Sequence, residues 1–144
     1  MNADLSARQP KYPESRYSHA TLSRRVIGVF YEVYNELGPG FLESVYQRAF
    51  AIALADAGLH FEREIPIRVH FRGTPVGDFR PDFVVGQSLL VELKAVRDLA
   101  TEHQAQLLNY LRASPFEVGL LLNFGLEPTI RRLAFANQRK THLR

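Results

Sequence analysis

The sequence contains no cysteine. That absence removes disulfides, thiolate zinc sites, iron-sulfur clusters and a cysteine nucleophile together. Histidine is sparse as well: His19, His60, His70, His103 and His142 stand ten or more residues apart. None of the short spacings that put two imidazoles on one metal occurs. Any metal would therefore be held mainly by carboxylates, as a hard cation such as Mg2+ or Mn2+. No apolar run approaches the roughly 18 residues needed to span a bilayer, and the polar first 20 residues, with Pro10 and Pro13, hold no signal-peptide core. The expectation is a cytoplasmic protein without membrane contact. There is no internal repeat and no low-complexity segment.

What is present fits one ordinary domain of 144 residues. Hydrophobic types at 46% and charged types at 23% exclude wholesale disorder and collagen-like or coiled-coil architecture. The net charge of +3 is unevenly spread: residues 1–20 carry +1, residues 21–127 carry −3 and residues 128–144 carry +5. A slightly acidic body thus ends in Arg131, Arg132, Arg139, Lys140 and Arg144. Such an end suits a polyanionic partner, and equally a solvated tail that aids solubility. The chain divides into a polar segment at 1–20, a single domain at 21–136 and a basic tail at 137–144.

Leu22, Val26, Val29, Phe30, Val33 and Leu37 fall at helical spacing. Gly38-Pro39-Gly40 stops that helix, and a second pattern runs from Phe41 to the cap at Ala57-Gly58. The period then changes to 2 over Ile65–Phe71, a half-buried strand. Strands at Val76–Val85 and Leu89–Val96 complete a three-stranded meander. Thr101 to Gln104 reads as a capping box for a helix carrying Leu107, Leu108 and Leu111. Val118–Phe124, nearly continuous in apolar residues, predicts a strand covered on both faces, and Thr129–Phe135 a last strand. The order αα-βββ-α-β-β implies an α/β fold with a mixed sheet, its third strand crossing over through the helix to a parallel neighbour.

If the hairpin loop is Gly86-Gln87-Ser88, facing residues have numbers summing to 174, and Asp82 lies opposite Glu92. Lys94 projects from the same face, as do Asp78 and Arg80 if the second strand is regular. Like charges directly opposed are destabilising unless something positive lies between them. A solvated surface with an ordinary lysine pair is one reading. The surrounding Leu89, Leu90, Val91 and Leu93 favour a buried strand, where charges are rarely left unpaired. A magnesium ion would neutralise the two carboxylates, and Lys94 would then assist a metal-bound water or a phosphate oxygen. Glu43, early in the second helix with Tyr46 and Phe50 on the same side, also reads as a dipole interaction. Gln106 and Tyr110, one turn apart, also read as a surface hydrogen bond.

Taken in order, Gly40-Phe41-Leu42-Glu43-Ser44-Val45-Tyr46, Pro81-Asp82, Glu92-Leu93-Lys94, Gln106 with Tyr110, and Gly119–Phe124 resemble the GxxExxY protein family, from about Leu22 to Phe135. That family is similar to compact members of the PD-(D/E)XK nuclease superfamily. The resemblance implies a restriction-endonuclease-like core, a mixed sheet flanked by helices, and a metal-dependent nuclease acting on DNA, or on RNA. It implies catalytic roles for Glu43, Asp82, Glu92 and Lys94, with Mg2+ or Mn2+ on Asp82, Glu92, the Leu93 carbonyl and Glu43. Gln106, Tyr110, Tyr46, Arg131 and Arg132 would contact the nucleic acid, and a homodimer is compatible with this reading. A catalytically inactive binding or assembly subunit that keeps the fold is the alternative, and a structural ion-pair network of the four charged residues is a third.

Overall fold

The computed structural model describes residues 19–140. Two helices open it, α1 (His19–Leu37) and α2 (Glu43–Asp56). The Gly38-Pro39-Gly40 corner between them has Gly38 at φ 69° and Gly40 at φ 109°, backbone conformations that side chains with a Cβ rarely adopt. Strands β1 (Phe61–Arg63), β2 (Ile67–Phe71), β3 (Thr74–Phe79), β4 (Phe83–Val85) and β5 (Leu89–Lys94) follow. Helix α3 (Thr101–Ala113) then leads to β6 (Val118–Phe124) and β7 (Pro128–Ala134), and a short 3-10 turn spans Asn137–Arg139.

The main sheet has five strands in the order β1-β4-β5-β6-β7. Only β5 and β6 are parallel, joined through α3, and the other neighbours are antiparallel. The α/β class, the mixed sheet and the parallel crossover pair thus stand as the sequence predicts. The central strands are buried on both faces, as their continuous apolar runs require. One face, with Phe83, Val91, Leu93, Leu120 and Leu122, packs on Val26, Phe30, Phe50 and Leu54 of α1 and α2. The other, with Val84, Leu90 and Leu121, packs on Leu107 and Leu111 of α3 and on Ile67 of β2.

The meander needs correction. The run expected as one strand at Val76–Val85 breaks at Arg80-Pro81, giving β3 and β4 in different sheets. Pro81 has no N–H to give a ladder, so a regular strand cannot run through it. In consequence β2 and β3 form a separate two-stranded sheet, and β1, which periodicity did not reveal, takes the place beside β4. Asp78 is a Cα partner of Arg68 in that hairpin and does not share a strand with Asp82.

Two further expectations change. The N-cap of α3 is Ala100, whose N–H donates to Nδ1 of His103 at 3.0 Å, and the Thr101 hydroxyl donates to Glu102 instead of closing a box with Gln104. The basic tail placed at 137–144 is not a tail as far as Lys140. That side chain is 2% exposed, and its Nζ donates to the Ser114 carbonyl (2.9 Å), the Phe116 carbonyl (2.6 Å) and Asn137 Oδ1 (2.6 Å). All three ammonium donors are satisfied, beside the C-terminus of α3, where a cation is favoured. Arg139 lies over the Phe135 ring at 4.3 Å. Residues 1–18 and 141–144, Arg144 and His142 among them, lie outside the described residues.

Candidate functional site

The β4–β5 hairpin aligns the acidic pair. Gly86 and Gln87 both have positive φ (59° and 60°), the handedness that matches strand twist in a tight hairpin. The register is Phe83↔Val91, Val84↔Leu90 and Val85↔Leu89, the pairing symmetric about position 87. Continued one step, it sets Asp82 against Glu92; continued two steps, Pro81 against Leu93. The Pro81 carbonyl accepts from the Glu64 N–H at 3.1 Å, and the Leu93 N–H does not pair with it. It donates instead to Asp82 Oδ2 at 2.7 Å, and the Asp82 N–H donates to Glu92 Oε1 at 3.3 Å. Side chains alternate along β5, so Glu92 and Lys94 emerge on the α3 side with Leu90.

Glu43 begins α2 and reaches the pair through a residue that sequence reasoning missed. Gln47 Nε2 donates to Glu43 Oε2 and to Asp82 Oδ1, both at 3.1 Å. The signal was available, since Gln47 is four residues after Glu43 and therefore on the same helical face. His103 was also missed: it faces Glu43 closely enough to affect its titration. No sequence signal marked it, because it comes into place only when α3 docks.

Burial dominates the electrostatics. Glu92 is 7% exposed, and desolvation, with the Asp82 charge adding to it and Lys94 opposing, pushes its carboxyl up to about 8. Desolvation also raises Asp82, against the Leu93 N–H, the Glu92 hydrogen bond and Lys94. Glu43 is raised by burial and then by Asp82, with Lys94 and His103 opposing. Tyr110 is raised by burial and by the charges of Glu92 and Asp82, with Gln106 opposing. These shifts bring Glu43, Asp82, Glu92, Lys94, Gln106 and Tyr110 into one electrostatic neighbourhood.

The structural ion-pair network, the third of the alternatives, does not form among the described residues. Among the described residues the one pair within 4.0 Å is Arg97–Asp98, both exposed, so Lys94 stands near the carboxylates without pairing to them. The backbone just past Lys94 is fixed. Asn123, the register partner of Lys94 on β6, accepts from the Val96 N–H (3.0 Å) and donates to the Val96 carbonyl (2.9 Å). Gly125 lies so close that a Cβ there would sit 2.8 Å from the Val96 carbonyl oxygen.

Three expected substrate contacts are not placed at this site. Tyr46 is fully buried, stacked on Phe124 at 4.1 Å, with its hydroxyl donating to the Gly38 carbonyl and accepting from the Phe41 N–H. It ties the glycine corner to β6 and presents no surface to a ligand. Arg131 and Arg132 leave β7 toward opposite faces, being adjacent on a strand, and β6 separates them from β5. Arg132 is held by Ser23 of α1.

The donors available for a metal are hard oxygens. Among the described residues no three His, Asp or Glu side chains close round one point. Two carboxylates without a cation within 4.0 Å suit magnesium, which usually takes one or two carboxylates and keeps several waters. No helix among the described residues is long and apolar enough to cross a membrane.

A family model described as the PD-(D/E)XK nuclease superfamily matches residues 20–133. With most of its length matched, the chain belongs to that superfamily. No curated protein matches it. A solved structure titled "Crystal structure of SSO0001" is similar over 90% of this chain, with a TM-score of 0.54 and 16% identity. This chain spans 64% of the length of that one, and at such identity the likeness concerns the fold alone.

Proposed function

From membership of the PD-(D/E)XK nuclease superfamily, we propose that this protein is a metal-dependent nuclease hydrolysing phosphodiester bonds of DNA or RNA, with Mg2+ or Mn2+ as its cofactor. The observation that carries the reading is the pair of buried Glu92 and half-buried Asp82, beside a half-buried Lys94 that makes no ion pair with them. Burying like charges is costly, and a divalent cation removes that cost.

Asp82 and Glu92 are the protein's ligands, with the Leu93 carbonyl available at the strand edge toward which its N–H points. Glu43 acts through Gln47 or through water. The metal's contribution is to lower the pKa of a bound water and to draw charge from the phosphate. Lys94, two residues before the Val96 backbone that Asn123 clamps, donates to the nucleophile or to the charge developing on the phosphate oxygens. Gln106 and Tyr110, one turn apart on α3, orient the backbone of the nucleic acid.

The test incubates purified protein with single- and double-stranded DNA and RNA in magnesium, manganese or chelator, alongside Asp82→Ala. Cleavage that needs a divalent ion and is lost in Asp82→Ala is the expected result. Binding without cleavage by the wild type in every metal would establish the inactive binding subunit instead.

A further inference from the structure

The β2–β3 hairpin stands apart from the main sheet, and the break at Pro81 leaves a groove of about 730 Å3 between it and the C-terminal half of α3. Its base is the stacked pair Phe79 and Tyr110, with ring centroids 3.8 Å apart and planes within 5°. Val69, Phe71 and Val76 form the hairpin wall. Phe71 is 59% exposed and Val76 63%, in contrast to the closed packing on the other face of the sheet. Gly77 leaves its stretch of wall without a side chain, and a Cβ there would meet nothing within 4 Å.

The hairpin is basic on an otherwise acidic body. Residues 67–80 carry Arg68, Arg72 and Arg80 with His70 against the single acid Asp78, and Arg112 adds a charge from α3. None of these arginines has a carboxylate within 4.0 Å among the described residues. Arg72 lies over the Phe71 ring at 4.8 Å, so an exposed aromatic and a guanidinium form one platform. Apolar ring faces rimmed by unpaired cations match unpaired bases on a phosphate backbone. A duplex hides its base faces.

We propose that this groove binds a single nucleic-acid strand, its bases against Phe71 and the Phe79–Tyr110 pair and its phosphates toward Arg72 and Arg112, so that the protein prefers single-stranded substrates or frayed ends. The inference rests on the nuclease reading of the neighbouring site, to which Tyr110 joins the groove: it lines the groove and lies within reach of the charges of Glu92 and Asp82.

The experiment measures binding of a fluorescent ten-nucleotide single strand and of the matching duplex by anisotropy, in chelator, with the full-length protein. The single strand is expected to bind at least tenfold more tightly. Phe71→Ala should weaken it between about five- and a hundredfold, the range for losing one stacked base. Gly77→Leu, which fills the groove from a position with open space and an ordinary φ, should abolish the preference at unchanged melting temperature. Val76→Glu, on an exposed site, sets a negative charge against the phosphates and should likewise weaken single-strand binding if Gly77→Leu fails to fold. Equal binding of strand and duplex, or wild-type binding by a folded groove-filled variant, overturns the groove while magnesium-dependent cleavage still upholds the nuclease. Groove-dependent binding without cleavage in magnesium or manganese upholds the groove and overturns the nuclease. No binding to either oligonucleotide overturns the groove, and the cleavage arm then decides the nuclease separately.

Discussion

Two lysines sit at ends of the fold and have opposite environments. Lys140 is buried to 2% exposure and gives all three of its protons to oxygen acceptors at the end of α3. Lys94 is half-buried at the end of β5, near two carboxylates, with no ion pair to either. The first is satisfied, so its removal leaves orphaned acceptors. The second has no carboxylate within 4.0 Å among the described residues, which suits the action on a substrate proposed for it. Burial alone does not separate these roles; the state of the partners does.

The strongest way to break this contrast is Lys94→Met. Cleavage should fall about 10²- to 10³-fold, ~3–4 kcal/mol of transition-state stabilisation, with the melting temperature and substrate affinity kept, because the lost interaction matters mainly in the transition state. Rate, affinity and melting measured on one preparation check this, and full cleavage by the folded variant removes Lys94 from the mechanism. The mirror substitution, Lys140→Met, leaves the Ser114 and Phe116 carbonyls and Asn137 without their donor. It should cost about 3 kcal/mol of stability by urea unfolding and leave the cleavage rate of folded protein unchanged. If it instead spares stability and removes cleavage, the assignment of the two lysines is reversed.

Metal should sharpen the contrast. A divalent ion bound by the folded state alone adds about 2.7 kcal/mol of stability at a hundredfold excess over Kd. That gain should appear in the wild type and in Lys140→Met, and vanish in Asp82→Ala. Equal melting shifts in the wild type and Asp82→Ala would move the metal elsewhere.

The effect of pH without metal follows from Glu92. Its carboxyl titrates at about 8 in the fold against 4.5 ordinarily, so between those values the folded state binds more protons than the unfolded state. Stability is then fully present below about pH 4.5 and falls as pH rises toward about 8. Glu92→Gln should flatten that part of the profile in chelator, read from melting temperature against pH. A wild-type profile already flat there would mean that Glu92 is not desolvated.

Several of these residues could be read directly from the chain. The Asp82–Glu92 pairing followed from a three-residue loop, because a hairpin register is fixed locally by its turn. The α1 stripe and the apolar β6 were equally plain, since one-face and two-face burial leave different periods. Gln47 was legible in its i,i+4 relation to Glu43 but not in its reach to Asp82, which belongs to another element. Tyr46 was misjudged because a tyrosine in a motif does not reveal which way its ring turns. Its place is decided by Phe124, 78 positions further along the chain.

The sequence alone determined the α/β class, the order of most elements, the acidic pair and the lysine beside it, all of which rest on spacing within a few residues or on a single turn. Tertiary structure alone decided that β2 and β3 leave the sheet, that β1 takes the place beside β4, that Lys140 is interior, and that Arg131 and Arg132 do not line the site. Each of these depends on which surfaces meet. A local pattern encodes which face of an element is apolar, but the partner that covers it is selected by the packing of the whole chain.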